Sequence, residues 1–352
     1  MRRNCLMKLL SLVILLCFTA ANAYSADLPK VVILATGGTI AGSAASQTNT
    51  TGYKAGTIGV ETLINAVPEI KELAEVSGEQ VCNTASPNMT NEILLQLGKR
   101  VNELLSSKDV DGVVITHGTD TLEETAYFLN LVVKSDKPVV VVGAMRPATA
   151  ISADGPMNLY NAVLLASSKE AKGRGAYILM NDRIGSARFV SKTNTTMTDT
   201  FKSHEQGYLG AIAGGKIYFW NQITKKHTFN SEFDISKIKE LPRVDIIYSH
   251  QSDDGVFYDA AVKAGAKGIV SAGSGNGSLS DATKLAGKDA QKAGVVFVQS
   301  SRVNNGIITP KKSGRVGLYA NSLNPAKSRI LLMVALTKTS DPEVIQRYFD
   351  EY

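Results

Sequence analysis

The sequence predicts an α/β protein with a larger N-terminal domain, in which helices flank a mainly parallel sheet, and a smaller C-terminal α/β domain. Short runs of valine, isoleucine and other apolar residues are typical of strands that are buried on both faces. In the first part of the chain, such runs occupy residues 31–36, 112–116 and 139–143. Amphipathic helical patterns lie between and after them, at residues 91–105, 122–133 and 156–167. This alternation favours a parallel sheet covered by helices on both faces.

A polar segment, residues 221–242, has no strong hydrophobic period and is interpreted as a linker between domains at residues 28–220 and 243–352. Beyond this linker the alternation of strands and helices resumes. The apolar runs that predict three further strands are residues 244–248, 268–271 and 295–298. The patterns that predict two closing helices are residues 330–337 and 342–348. The second unit is therefore expected to be a smaller α/β domain.

The first 23 residues have the pattern of a secretory signal peptide. Basic residues at positions 2, 3 and 8 precede a short apolar run at residues 9–21, and residues 21–23 fit a small-x-small cleavage site. Residues 24–26 form a weaker second cleavage site. The apolar run is too short to span a membrane comfortably. We therefore expect the mature chain to be exported and to have no membrane anchor after cleavage.

The charge and the cysteines exclude some classes of function. The formal net charge is +6, and no dense block of lysine and arginine is interleaved with aromatic residues, so nucleic acid is not an expected partner. Cleavage would remove Cys5 and Cys17 and leave Cys82 as the single cysteine, so no internal disulfide is expected. The neighbours of Cys82 are mostly uncharged, and we expect this residue to be a small buried hydrophobic side chain.

The histidines give no sign of a metal site. They are scattered along the chain as His117, His204, His227 and His250, and neither an HExxH nor a CxxC pattern occurs. A GxSxG nucleophile turn is also absent. We expect no metal and no cofactor. A hydrolase of this kind would use a threonine that is activated by a lysine, a tyrosine or a bound water.

Threonines and glycines follow two of the predicted strands. Residues 36–42 read TGGTIAG and place Thr39 after two glycines, and residues 116–124 place Thr119 and Asp120 at the end of another strand. Ligands bind at the carboxyl ends of the strands in open α/β sheets. The two hydroxyl groups are therefore candidates for a common active site.

Simpler interpretations of these residues remain open. Thr39 could cap a glycine-rich turn, and Asp120 could cap a helix together with Glu123. A lone histidine before a glycine, as at His117, more often has a structural role. In the predicted C-terminal domain, Asn276 lies in another glycine-rich turn that could bind a carboxylate or an amine, although such turns are common.

The motifs together resemble those of the bacterial type II L-asparaginases, and the similarity extends over essentially the whole mature chain. The segments that carry the resemblance are residues 35–42, 111–121, 144–147, 152–156 and 300–302. The resemblance implies a periplasmic amidohydrolase that converts L-asparagine to L-aspartate and ammonia without a metal or a cofactor. It also implies a homotetramer.

The same resemblance implies roles for individual residues. The implied catalytic residues are the nucleophile Thr39, the orienting residue Tyr53, and a second group in which Lys192 helps to deprotonate Thr119 beside Asp120. The implied substrate-binding residues are Gly38, Ser86, Pro87, Thr119, Asp120 and Asn276, of which Asn276 comes from a neighbouring subunit. A loop at residues 43–51, rich in small and polar residues, would close over the substrate.

Two positions depart from the family pattern. Pro87 stands where relatives usually carry glutamine or glutamate, and Lys311 and Lys312 lie where relatives place an acidic residue. Proline has no side-chain hydrogen bond to offer the substrate amine. We therefore expect weaker activity on L-glutamine than on L-asparagine. The alternatives are a broad-specificity glutaminase-asparaginase and, from another class, a periplasmic amino-acid-binding protein.

Overall fold

The computed structural model describes residues 27–310 and 315–352. The predicted signal peptide at residues 1–23, Lys311 and Lys312 lie outside the described residues. In the described part of the chain, no helix is both long and apolar enough to cross a membrane. Strands and helices alternate along the chain, which confirms the predicted α/β class.

Twelve strands lie in the described residues before position 220. In chain order they are β1 (Lys30–Gly37), β2 (Ser43–Ala44), β3 (Tyr53–Lys54), β4 (Glu75–Thr84), β5 (Gly112–Thr116), β6 (Val139–Val142), β7 (Ala176–Met180), β8 (Arg183–Ser186), β9 (Ser191–Lys192), β10 (Phe201–Lys202), β11 (Gly210–Ala213) and β12 (Lys216–Phe219). Eight of them form one sheet in the order β12-β11-β8-β7-β6-β5-β1-β4. Strands β4, β1, β5, β6 and β7 are parallel, and β8, β11 and β12 extend the sheet in antiparallel pairs. The predicted larger, mainly parallel sheet is confirmed.

The central strands follow from their sequences. Strands β5, β6 and β7 are buried along their whole length, as is β1 after its first residue. Strand β4 was not predicted, because it lies at the edge of the sheet and its sequence mixes polar residues and a glycine with apolar ones. The remaining short strands form two antiparallel pairs, β2 with β3 and β9 with β10.

Nine α-helices lie in the described residues. They are α1 (Val60–Asn65), α2 (Ile70–Leu73), α3 (Asn91–Ser106), α4 (Leu122–Val132), α5 (Gly155–Ser167), α6 (Val256–Lys263), α7 (Asp281–Lys292), α8 (Pro325–Ala335) and α9 (Pro342–Glu351). The prediction that the first closing helix begins at residue 330 is wrong. Helix α8 begins at Pro325, because the side chain of Asn324 accepts a hydrogen bond from the Lys327 amide and the proline is compatible with the first helical turn.

The C-terminal part contains a second, smaller parallel sheet. Its strands are β13 (Val244–Tyr248), β14 (Gly268–Gly273), β15 (Val296–Ser301) and β16 (Leu318–Tyr319), in that order. Only one short 3-10 turn, Thr228–Asn230, interrupts the irregular segment that was predicted to be a linker. The predicted smaller C-terminal α/β unit is confirmed.

Helix α8 packs against both parts of the chain. It contacts α4 on one side and β13, β14 and β15 on the other. Phe128 of α4, Leu332 of α8 and Val270 of β14 belong to one buried hydrophobic cluster, and each is fully buried. Burial of one such side chain contributes about 1.5–3 kcal/mol. The two sheets therefore share a core across α8, and the N-terminal end of this helix is fixed relative to the N-terminal sheet.

Candidate active site

The loops after β1 and β5 meet backbone against backbone. Gly38 has φ 79° and ψ −168°, a conformation that glycine adopts far more readily than other residues. A Cβ atom built on Gly38 would lie 2.3 Å from the Cα and from the N atom of Gly118. The Gly38 amide donates to Thr84 (3.1 Å) and its carbonyl accepts from the Gly56 amide (3.1 Å). Both backbone groups of Gly38 are thus used within the fold, and its position brings the two loops together.

Thr39 follows this close approach. It begins a 3-10 turn, Thr39–Ala41, and is 5% exposed. Its Oγ1 atom lies 2.6 Å from the hydroxyl of Tyr53 on β3. The β2–β3 pair therefore carries the tyrosine to the threonine, and the loop between these strands, residues 45–52, overlaps the predicted closing segment, residues 43–51.

Thr119 has a second polar partner. Lys192 of β9 donates to Thr119 Oγ1 (2.9 Å) and to Asp120 Oδ1 (2.6 Å). Thr119 is 5% exposed, whereas the Asp120 side chain is 62% exposed and open to a ligand. Thr121 is the N-cap of α4 and makes no side-chain capping bond. The interpretation of Asp120 as a helix cap is wrong, because its carboxylate accepts from Lys192.

Ser86 lies beside the same loop, and Pro87 follows it. Ser86 is buried; its Oγ atom accepts from the Asp120 amide (3.2 Å) and its carbonyl accepts from the Thr121 hydroxyl (2.8 Å). Pro87 lies in the 3-10 turn Ser86–Asn88 and is exposed. The structure thus brings Ser86 to the second threonine group and leaves Pro87 at the surface.

Asn276 has different neighbours within one chain. Its side-chain amide donates to Thr309 Oγ1 (2.7 Å), and its Oδ1 accepts from the Thr309 amide (3.0 Å). Asn276 is exposed. None of these bonds joins Asn276 to Thr39, Thr119 or Lys192, so its predicted contact with substrate stays a prediction about a neighbouring subunit.

His117 is structural, as its position before a glycine suggested. It is fully buried; its Nδ1 donates to the Gly118 carbonyl (2.7 Å), and its Nε2 lies 2.9 Å from the Thr125 hydroxyl. Burial lowers the pKa of His117 to about 4. The imidazole is therefore neutral at neutral pH, with both nitrogens engaged away from the two threonines.

Cys82 is only half-buried, so the prediction of a buried small residue is wrong. The cysteine lies on edge strand β4, where its thiol donates to the Thr36 carbonyl (3.4 Å), and burial raises its pKa.

In the described ranges, no group of three or more histidine, cysteine, aspartate or glutamate side chains could hold a metal ion. A surface groove of about 520 Å³ along α3, lined by charged residues such as Arg100 and Lys239, contains none of the predicted site residues.

Asp154 lies in one of the segments that resemble the family, residues 152–156, but the sequence predicts no role for it. Its carboxylate accepts from the amides of Met145 (2.9 Å) and Arg146 (2.9 Å). The next residue, Gly155, packs so closely that an added Cβ would lie 3.1 Å from Ile40, the neighbour of Thr39. Asp154 therefore closes the loop after β6, and the start of α5 packs against the turn that carries Thr39.

Lys327 and Glu123 lie behind the second threonine group; nothing in the sequence indicates Lys327, and the sequence suggests Glu123 only as a capping partner of Asp120. Lys327 is 2% exposed and its Nζ lies 3.7 Å from Glu123 Oε2. A lysine in an amphipathic helix ordinarily faces solvent, so no sequence signal marks it. Lys327 becomes buried because α8 packs onto α4.

Both parts of the chain match known families. Residues 30–225 match the family described as "Asparaginase, N-terminal", and residues 243–349 match "Glutaminase/Asparaginase C-terminal domain". "L-asparaginase 2" of Bacillus subtilis (strain 168) is 62% identical over 336 residues, which cover 95% of this chain and 89% of that protein. "Glutaminase-asparaginase" of Pseudomonas fluorescens biotype A is 53% identical, with 92% and 91% covered. A crystal structure of a probable cytoplasmic L-asparaginase from Campylobacter jejuni superposes with a TM-score of 0.90 at 54% identity, covering 92% of this chain and 100% of that one.

Proposed function

The chain belongs to the asparaginase family, and on this basis we propose that it hydrolyses the side-chain amide of L-asparagine to L-aspartate and ammonia with Thr39 as nucleophile. The observation that carries the proposal is the pair of buried threonine hydroxyls at neighbouring strand ends. One is bonded to Tyr53 and the other to Lys192. Amide hydrolysis needs a nucleophile and a route for protons, and these pairs can supply both.

In the proposed reaction, Thr39 Oγ1 attacks the carboxamide carbon. One proton passes from the threonine oxygen to the amide nitrogen, and the C–N bond breaks. Ammonia leaves, and the substrate acyl group remains bound to Thr39 as an ester. Water then attacks the ester, one proton returns to the threonine oxygen, and the C–O bond breaks to release aspartate. Tyr53, Thr119 and Lys192 carry these protons, a contribution of about 10²–10⁴-fold in such reactions.

The substrate's α-groups are proposed to bind beside the second threonine. The exposed carboxylate of Asp120 suits the α-ammonium group, and Ser86 beside it suits the α-carboxylate. Gly38 acts in this proposal by holding the loops together, because its amide and carbonyl are already engaged. Asn276 is proposed to reach the site of a neighbouring subunit.

Weaker activity on L-glutamine is part of the proposal. It rests on the exposed Pro87, which offers no side-chain hydrogen bond to an amine. A hydrophobic pocket discriminates one methylene by only about 1–3 kcal/mol, so some glutamine cleavage is expected. Broad specificity remains the second candidate, because a relative of 53% identity is named a glutaminase-asparaginase. The amino-acid-binding alternative is set aside, since both parts of the chain match families of an enzyme.

We also propose a homotetramer located in the periplasm. Exposed apolar side chains on the C-terminal part, Tyr248 on edge strand β13 and Phe257 on α6, suit contacts between subunits. Export is supported by the sequence of residues 1–23 and by a Haemophilus influenzae relative, 49% identical, that is named "Probable L-asparaginase periplasmic", whereas the Campylobacter jejuni relative is described as probable cytoplasmic. Sedimentation of the purified protein would test the assembly.

Ammonia release from L-asparagine and from L-glutamine, measured side by side, tests the function. We expect a higher kcat/KM for L-asparagine, and equal values would favour the broad-specificity alternative. Thr39→Ala should abolish turnover. Thr62→Ala is the matched control, since Thr62 is an exposed threonine on α1, and it should retain full activity. Full turnover by Thr39→Ala would refute the nucleophile.

A further inference from the structure

Lys327 is a buried lysine that the proposed chemistry does not use. It lies in the first turn of α8 and its side chain is 2% exposed. A cation in the first turn of a helix faces the positive end of the helix dipole, which is unfavourable. Burial of an ammonium group is unfavourable too, and apolar residues often replace buried ion pairs without loss of stability. A gain in stability therefore does not explain a lysine at this position.

The ammonium group of Lys327 binds the backbone that leads to Lys192. Its Nζ donates to the carbonyls of Val190 (2.5 Å) and Arg188 (3.2 Å). Val190 comes two residues before Lys192, at the entry to β9. Since β9 is paired only with the short strand β10 in the described residues, these bonds from α8 are a main restraint on its position.

The same end of α8 also holds the segment that carries Thr119. Glu123 lies three residues after Asp120, and its carboxylate is 3.7 Å from Lys327 Nζ. Asn324, the N-cap of α8, donates from one amide group to Ser191 Oγ (3.2 Å) and to Glu123 Oε2 (3.5 Å). One helix end from the C-terminal part thus contacts both segments whose side chains meet at Thr119.

We propose that Lys327 is a positioning residue that fixes Lys192 at bonding distance from Thr119 and Asp120, an inference that rests on the proposed role of Lys192. Lys192 reaches both partners at once, at 2.9 and 2.6 Å. Small displacements of a catalytic group lower turnover strongly, because the reacting atoms must be held in a narrow geometry. The C-terminal part therefore contributes to the chemistry within its own subunit, through the backbone of residues 188–190.

Lys327→Met, which keeps the length of the side chain and removes its donors, tests this role. We expect kcat for L-asparagine to fall by about ten- to a hundredfold with little change in KM, since a 1 Å misplacement has such an effect. Lys137→Met is the matched control. Lys137 also donates to two backbone carbonyls, those of Ser107 and Val110, but next to the start of β6, opposite the strand ends that carry the threonines, and its loss should leave kcat unchanged. An unchanged kcat in Lys327→Met would overturn the proposal.

A double-mutant cycle separates positioning from a general loss of structure. If Lys327 acts through Lys192, Lys327→Met should cause no further loss of kcat when it is added to Lys192→Met. A further loss equal to that of the single variant would overturn the proposal. Full turnover by Lys192→Met alone would instead refute the proposed proton route, so the two failures are distinguishable.

If Lys327→Met does not fold, Glu123→Gln provides an alternative test of the positioning role. The glutamine keeps the size of the side chain and removes the charge that faces Lys327. We expect a lower kcat at nearly unchanged KM and, again, no further loss in the Lys192→Met background. Additive losses would contradict the inference here as well.

Discussion

Gly38 and Gly118 lie so close that neither loop could carry a side chain at the contact; a Cβ on Gly38 would sit 2.3 Å from Gly118 Cα. Strands β1 and β5 are paired with Ala35 opposite Thr116, so the two loops leave the sheet side by side. This glycine contact is how two threonines 80 positions apart in sequence reach one place.

Gly38→Ala should therefore lose most of its activity and part of its stability. The backbone conformation alone would cost an alanine about 1–3 kcal/mol, and the methyl group would meet backbone atoms that cannot rotate away. Urea unfolding and ammonia release measure the two effects. Gly214→Ala is the control, because Gly214 also has a positive φ (57°) but has nothing within 4 Å of an added Cβ. We expect it to lose only about 1–2 kcal/mol and no activity; equal behaviour of the two variants would contradict the argument.

Tyr53→Phe should lower kcat by about a hundredfold or more, the usual contribution of one positioned proton-transfer group. The variant removes only the hydroxyl that lies 2.6 Å from Thr39. Tyr218→Phe removes an equivalent hydroxyl from an exposed tyrosine on β12 and should have no effect. Steady-state kinetics on L-asparagine compare the two, and a Tyr53→Phe variant with normal kcat would remove this tyrosine from the proton route.

Pro87→Gln should raise kcat/KM for L-glutamine relative to L-asparagine. Pro87 is exposed in a short turn, so the substitution should leave the fold intact. Glutamine would offer the amine a hydrogen-bonding group that proline lacks, and the expected change in the ratio is about tenfold, corresponding to about 1.4 kcal/mol. Pro68→Gln is the control at another exposed proline, and it should leave the ratio unchanged. An unchanged ratio in Pro87→Gln would show that specificity is set elsewhere.

The central strands could be predicted from sequence because β1, β5 and β6 are continuous apolar runs buried on both faces. Strand β4 could not, since an edge strand with mixed polarity has no such pattern. Thr39 and Thr119 stood out by their position after glycine-flanked strand ends.

Lys192 was assigned only by resemblance to a family. It lies 73 residues from Thr119, and its contact with that residue depends on where the β9–β10 pair lies. Lys327 could not be predicted for a related reason. Helical periodicity identifies the apolar face of a helix, but it does not identify the polar side chains that become buried when another part of the chain packs against the helix. Local sequence patterns therefore do not predict the site residues whose position depends on packing between distant segments.

Lys327 should make stability depend on pH in the alkaline range. Burial lowers its pKa from 10.5 to about 8; the nearby Arg188 acts in the same direction and Glu123 opposes it. Between these two values the unfolded chain binds a proton that the folded chain has lost, so the free energy of unfolding rises with pH. The contribution is fully present above 10.5 and is lost as the pH falls through about 8. One pKa unit corresponds to about 1.4 kcal/mol, so lowering the pKa from 10.5 to about 8 changes the free energy of unfolding by about 3–4 kcal/mol.

The measurement is the difference in unfolding free energy between the unmodified protein and Lys327→Met, taken by urea titration on both sides of this pH window. Subtracting the variant cancels other groups that titrate in the same range, such as surface lysines. We expect the unmodified protein to gain stability relative to the variant as the pH rises from about 7 to about 10.5, because an ammonium group that is unfavourable in the core is then neutral. A difference that is constant with pH would mean that Lys327 keeps an ordinary pKa, and hence that Glu123 and the two carbonyls fully compensate its burial.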